Sequence, residues 1–355
     1  MRPRVKAEPF VAAGGEGGVP ASSGDATGEG EKAVASRRTS RKRWLLRAGQ
    51  LLLTVIVTAF ILQRVGLSLD EVRVLDPARW RPDMPLLALA SLLLFAGYLL
   101  SACYWGRMTV EMGGGDFHLR RACQIYFTAN LGRYVPGKVL QIAGLAFLAG
   151  RAGVSSSIAL AAAVVGQGLT LMGAALVGLL AFRTLDGMDA EAWGPFGFVV
   201  ALGALVILVV VSVPSLFRGS IELVSRALQT SAVPPLRVRP TFGARWTLLY
   251  TANWVVQAAA FWVLAGSLGV EGTFLEMGPA FAAAYLLGYL AVFAPAGIGV
   301  REGFLVAFLE PVTGAAAALG LAVIARLWMT VVELVPAVWF ARSELRVRKG
   351  RGKGG

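Results

Sequence analysis

Six stretches of the sequence run for about 20 residues with few or no charges: 44–62, 84–105, 157–181, 197–217, 246–267 and 318–341. At 1.5 Å per residue, a helix of that length spans the roughly 30 Å hydrocarbon core of a bilayer. Composition agrees with that reading. The 355 residues are 56% hydrophobic and only 15% charged, with a mean hydropathy of +0.65. Soluble domains carry about 25% charged residues, so a water-soluble enzyme and a disordered chain are both excluded. The expected class is an all-α, polytopic integral membrane protein.

The same residues narrow the chemistry. With two cysteines and one histidine, neither a four-ligand Cys/His metal site nor a disulfide framework can be assembled. Cys103 lies inside an apolar run and Cys123 at the edge of another, and both read as packing residues. No nucleophile–base pair and no Walker-type phosphate loop is present, and His118 stands in a loop. Neither an enzyme activity nor a cofactor is expected. The net charge of +13 comes from basic residues in the tails and the short loops, where positive-inside topology puts them, and not from a nucleic-acid surface.

Residues 1–43 form a basic, Gly/Ala/Ser/Glu-rich N-terminal tail that is expected to be disordered. The Arg37–Arg43 cluster ahead of the first apolar run resembles a signal peptide, but no small-residue cleavage site follows, so a retained first span is expected. The membrane domain covers 44–341, and 342–355 is a basic cytoplasmic tail with one acid, Glu344.

Two further apolar stretches are interrupted. Residues 122–150 are broken at 130–138, from Asn130 to Lys138, and 279–309 are broken at 295–303, from Pro295 to Gly303. In a continuous helix Pro295 costs about 3 kcal/mol and each of Gly297, Gly299 and Gly303 about 1 relative to Ala. A lipid-facing Arg301 adds roughly 2.5–3.5 kcal/mol. The uninterrupted arm 279–293 reaches only about 22 Å, and 304–309 is shorter. Neither arm crosses by itself, so each stretch is expected to be a re-entrant hairpin whose irregular tip faces protein or a water-filled cavity.

Charge placement separates two topologies. If both stretches crossed, the loop carrying Arg218, Arg226, Arg237, Arg239 and Arg245 would be external, against the charge rule. With both re-entrant, that loop and both tails are cytoplasmic, while the acidic loop around Asp186, Asp189 and Glu191 is external. The exception is the first external loop, which holds Arg64, Arg73, Arg79 and Arg81. The order becomes span, span, hairpin, span, repeated once. Three crossings per half invert the second half, and paired Gly/Pro-broken segments in such halves point to a transport site near the midplane.

The candidate substrate-binding residues follow. They are Asn130, Arg133, Pro136, Gly137, Lys138 and Gln141 at the first hairpin, and Pro295, Gly297, Gly299, Arg301 and Glu302 at the second. Arg326 and Glu333 in the last span complete the set. Arginine and lysine beside broken backbone hold an anionic headgroup through charge-assisted hydrogen bonds. The competing readings are interfacial snorkelling for Arg133 and Lys138, and helix-start capping for Arg301 and Glu302. Arg326 and Glu333 stand seven residues apart, two turns along one face, and ions at that depth turn inward. Arg326 is offered a partner in Glu302, and Glu333 one in Arg301 or Arg133; a purely structural ion network is the alternative. Asn253 and Gln257 read as interhelical glue, and Gly166, Gly168, Gly173 and Gly178 as sites of close helix contact.

At the two breaks the chain resembles a known family. Residues 132–138 (Gly-Arg-Tyr-Val-Pro-Gly-Lys), 151–155 and 295–303 resemble signatures of the flippase-like membrane domain of lysylphosphatidylglycerol synthases, over roughly 44–342. The resemblance implies a multi-span inner-membrane protein related to lipid translocation. In the synthases a soluble aminoacyl-transferase domain follows; here lysyl transfer is not expected. Where many relatives carry an arginine after the Pro-Gly and an acid in the next span, this sequence has Gln141, Gly144 and Gln167, which bears on the headgroup. The expected partners are membrane lipids, anionic or lipid-linked glycan, and no nucleic acid. The alternative function is a non-transporting scaffold for a lipid- or glycan-modifying membrane enzyme.

Overall fold

A computed structural model of the chain describes residues 81–134, 139–181, 241–291 and 299–351, together with Gly219 and Gly297. The N-terminal tail and the expected spans at 44–62 and 197–217 lie outside the described residues. So do Pro136, Gly137, Lys138 and Pro295, and the side chain of Arg133.

Among the described residues there are helices and no strands. They are α1 (Met84–Glu111), α2 (Leu119–Asn130), α3 (Val139–Arg151), α4 (Ser156–Gly178), α5 (Phe242–Ser267), α6 (Phe274–Leu290), α7 (Val300–Thr313) and α8 (Ala315–Arg351). Helices α1, α4, α5 and α8 as far as Phe340 are long and apolar enough to cross a membrane, and they coincide with four of the apolar runs. The backbone of α8 continues as helix to Arg351, so most of the expected basic tail extends the last span.

Local chemistry sets where the helices start. Asp83 caps α1 by accepting the Leu86 N–H at 3.0 Å, and Pro85 occupies the first turn, where its missing N–H costs nothing. Glu276 caps α6 by accepting the backbone N–H of Thr273 at 2.7 Å.

Helices α1 and α5 pack antiparallel along their length. At one end Asp83 N–H donates to the Ser267 carbonyl at 2.7 Å. At the other, Arg245 pairs with Glu111, which also accepts the Trp246 indole N–H at 3.2 Å. Between these ends Asn253 Nδ2 donates to Ser101 Oγ at 2.9 Å, so Asn253 joins the two helices as expected. Helix α4 closes onto α5 and α6 through its glycines. A Cβ on Gly173 would lie 2.9 Å from the Tyr250 carbonyl oxygen, and one on Gly178 would lie 2.8 Å from Ala283 N. Gly166 likewise admits the Tyr250 hydroxyl, whereas Gly168 faces open space and makes no such contact.

Both interrupted stretches are pairs of short helices packed against each other. Helices α2 and α3 have 12 and 13 residues, about 18–20 Å each, and are joined through a 3₁₀ turn at Leu131–Tyr134. The ends of this hairpin meet: Ser155 N–H, just before α4, donates to the carbonyl of Gly114, just after α1, at 3.2 Å. Phe127, near the far end of α2, stacks on Phe95 in the middle of α1 with ring centroids 6.0 Å apart. In the second hairpin, Tyr285 of α6 packs on Trp254 at mid-α5, centroids 4.7 Å apart.

The second break ends earlier in the chain than the sequence suggested. Residues 301–303 were expected in irregular backbone, but α7 begins at Val300 and takes Arg301, Glu302 and Gly303 into helix. The physical reason is the Glu302 carboxylate, which accepts the Gly299 N–H at 2.6 Å and so supplies the missing cap. Helix α7 is correspondingly longer, at 14 residues, while α6 has 17 because it starts at Phe274, ahead of the expected 279, and it ends at Leu290.

Candidate functional site

The second hairpin draws its turn tight with glycine. Gly297 and Gly299 hold φ of +69° and +83°, left-handed values that disfavour a side chain. A Cβ on Gly288 would lie 2.6 Å from the Cβ of Arg301, so α6 approaches the first turn of α7 nearly backbone to backbone.

That approach buries Arg301 to 7% exposure. Its guanidinium lies 4.9 Å from the Phe281 ring centroid and 5.1 Å from that of Tyr285. One N–H reaches the Met329 thioether sulfur of α8 at 3.1 Å. Rings and a thioether suit a weakly hydrated planar cation, and desolvated cation–π contacts contribute about 2 kcal/mol. Among the described residues no carboxylate forms an ion pair with Arg301.

Glu302, on the same cavity, makes its contacts with other groups. One oxygen caps Gly299, and the other lies 3.7 Å from Nε of Arg326 on α8, so the pairing expected between these two residues is present. The separation exceeds the 2.7–2.9 Å of a charge-assisted hydrogen bond, and that inner oxygen accepts no hydrogen bond. The helix-start reading thus holds for Glu302, whereas Arg301 turns into the aromatic pocket. Phe281, Arg301, Glu302, Leu305, Arg326 and Met329 line a cavity of about 10 Å³, the size that admits one water.

In the apolar part of α8, Glu333 turns inward. Val323, Leu327, Val331 and Val335 are exposed along one face, while Glu333 is 4% exposed. This is the arrangement expected of ionisable residues at membrane depth.

The first hairpin holds a neutral polar pair. Gln141 Nε2 of α3 donates to Asn130 Oδ1 of α2 at 2.7 Å, tying the two arms just below the turn, and Asn130 is 2% exposed. A Cβ on Gly132 would lie 2.8 Å from Gln141 N, so the turn folds directly over the α3 backbone. Among the described residues no hydrogen bond joins this amide pair to the Arg301–Glu302–Arg326 group. Each hairpin carries its own polar spot.

Phe281, Tyr285 and Met329 enclose Arg301, which the sequence by itself does not identify. One signal was present, since Phe281 and Tyr285 are four apart and share a helix face. Among the described residues no three His, Cys, Asp or Glu side chains gather as a metal ion would need.

A family model described as the lysylphosphatidylglycerol synthase TM region matches residues 47–337. No curated protein matches the chain.

Proposed function

The chain belongs to the lysylphosphatidylglycerol synthase transmembrane-region family, a membrane domain linked to lipid handling, and from that membership we propose that it translocates a lipid or lipid-linked headgroup between two re-entrant hairpins. The observation that carries the reading is the paired hairpins, one reaching the middle of α1 and the other the middle of α5, each bearing polar groups near its turn.

The architecture of the proposal is six spans and two hairpins in inverted halves, in the inner membrane, with both tails cytoplasmic. Two contacts support it. The Ser155–Gly114 hydrogen bond is what a segment returning to its own side of the membrane requires. The antiparallel α1–α5 pair fits too, because if both interrupted stretches crossed, these two helices would run parallel.

No bond is made or broken in this reading. The polar spots replace part of the headgroup's hydration while the acyl chains stay in lipid, which lowers the barrier to crossing apolar core. Transport requires the hairpins to part, since the cavity between α6, α7 and α8 admits only about one water. That same smallness favours a second reading, a non-transporting scaffold for a lipid- or glycan-modifying membrane enzyme.

Purified protein in liposomes carrying a panel of labelled anionic, zwitterionic and glycosylated lipids separates the two. Headgroup-dependent scrambling supports translocation. Folded protein that moves none of the panel supports the scaffold.

A further inference from the structure

We propose that the seat between Arg301 and Arg326 takes one phosphoryl anion, and that Glu302 is the internal anion holding the place until it arrives. The inference rests on the translocation reading for its physiological meaning, but its geometry stands separately.

Two guanidinium groups and one carboxylate line the cavity. Arg301 is 7% exposed, and its polar contact is a thioether sulfur. A guanidinium has five N–H donors in a fork that matches phosphate or carboxylate, and most of that capacity is unused here. Helix α7, with 14 residues, begins at the same point and adds the favourable end of its dipole.

Glu302 stands beside these donors without bonding to Arg301. One oxygen is committed to Gly299, and the other stands 3.7 Å from Arg326 and accepts no hydrogen bond. The carboxylate is therefore anchored to its own helix and only loosely engaged with α8. A phosphoryl oxygen can do what Glu302 does not, reaching Arg326 and Arg301 together with charge-assisted bonds. The side chains of Arg326 and Glu302 remain 25% and 21% exposed, so the seat is approached from their side, and Arg301 forms its closed end. Entry of the anion exchanges it for Glu302 at Arg326 and loosens the contact between α7 and α8, coupling occupancy to opening.

The sign of one substitution sets this apart from a structural ion pair. Glu302→Gln removes the competing charge yet keeps an amide oxygen able to cap Gly299, since glutamine serves at this cap position as glutamate does. Full-length protein in detergent is titrated with dioctanoyl phosphatidylglycerol, with dioctanoylglycerol lacking phosphate, and with inorganic phosphate alone. The expected result is phosphatidylglycerol binding tightened at least about fivefold by Glu302→Gln and weakened roughly tenfold or more by Arg301→Gln, with dioctanoylglycerol binding unchanged by either. Glu302→Asp, which draws the charge back from Arg326, tightens binding in the same direction and serves if the first variant does not fold. Inorganic phosphate binding as tightly as the lipid supports the seat and assigns it to a free anion. Equal binding of the two lipids, or folded Glu302 variants binding phosphatidylglycerol no more tightly than wild type, overturns the proposal. Scrambling in liposomes is measured separately: binding without scrambling defeats the translocation reading alone, and scrambling without this binding pattern defeats the anion seat alone.

Discussion

The backbone N–H of Ser155 donates to the carbonyl of Gly114 at 3.2 Å, across a 41-residue separation that contains the whole of the first hairpin. The chain leaves α1, runs through α2 and α3, and comes back beside the point it left.

Single-cysteine labelling in intact cells tests this return. On a background lacking Cys103 and Cys123, cysteines at Asp116 and Arg151, one at each foot of the hairpin and both exposed, are expected to react from the same, cytoplasmic side. A cysteine at Gly187, in the acidic loop, is expected to react from the outside. Opposite sidedness for residues 116 and 151, or a Gly187 site reached only from the cytoplasm, contradicts the inverted scheme.

The Arg326–Glu302 pair is expected to show modest coupling. Its side chains keep 25% and 21% of their surface accessible and stand 3.7 Å apart, short of a tight bidentate bond. Arg326→Met leaves a buried carboxylate oxygen without its cation and is expected to cost about 1–3 kcal/mol. The double change with Glu302→Gln is expected to cost less than the sum of the singles by about 0.5–1 kcal/mol. Reversible unfolding of the four proteins in detergent or lipid micelles measures it, and strict additivity counts against direct pairing.

Glycine substitutions separate close contact from open space. At Gly288 a Cβ meets the Arg301 Cβ at 2.6 Å, so Gly288→Ala is expected to destabilise by about 1–3 kcal/mol. At Gly168 nothing lies within 4 Å, so Gly168→Ala is expected to be neutral or to stabilise α4 by up to about 1 kcal/mol. Unfolding midpoints of the two variants check the contrast, and equal effects would show that hairpin packing is not the cause.

How much of this was visible in the sequence depends on the range of each interaction. Span positions are local properties of hydrophobic runs, and the four described spans stand where the runs are. The breaks were legible because Pro and Gly act within a turn or two. The pairing of Arg326 with Glu302 was legible as a need, since a charge in an apolar helix requires a partner. The start of α7 at Val300 does not follow from glycine propensity alone, because the Glu302 cap pulls the next residues into helix. The enclosure of Arg301 was hidden because Phe281 and Met329 lie on other helices, and only the fold brings them to its guanidinium. Likewise, Gly168 and Gly173 share a helix, and only the position of α5 separates a contact glycine from an idle one.

The amide pair of the first hairpin gives another test. Gln141→Leu removes the 2.7 Å bond and leaves Asn130, 2% exposed, with a buried amide oxygen lacking its donor. The expected loss is about 1–3 kcal/mol, and Asn130→Ala is expected to cost a similar amount. Hydrogen exchange across residues 126–144 should speed up in both variants, and unchanged exchange there would show that the arms are held by other contacts.

The most direct measurement is lipid movement by the wild-type protein itself. Liposomes with headgroup-labelled lipid in both leaflets are reconstituted with purified protein, and a membrane-impermeant quencher is added outside. Quenching is expected to run past the outer-leaflet share for at least one anionic or glycosylated lipid, while protein-free liposomes stop at that share. Folded, correctly inserted protein that leaves the inner-leaflet label of every lipid protected would contradict it.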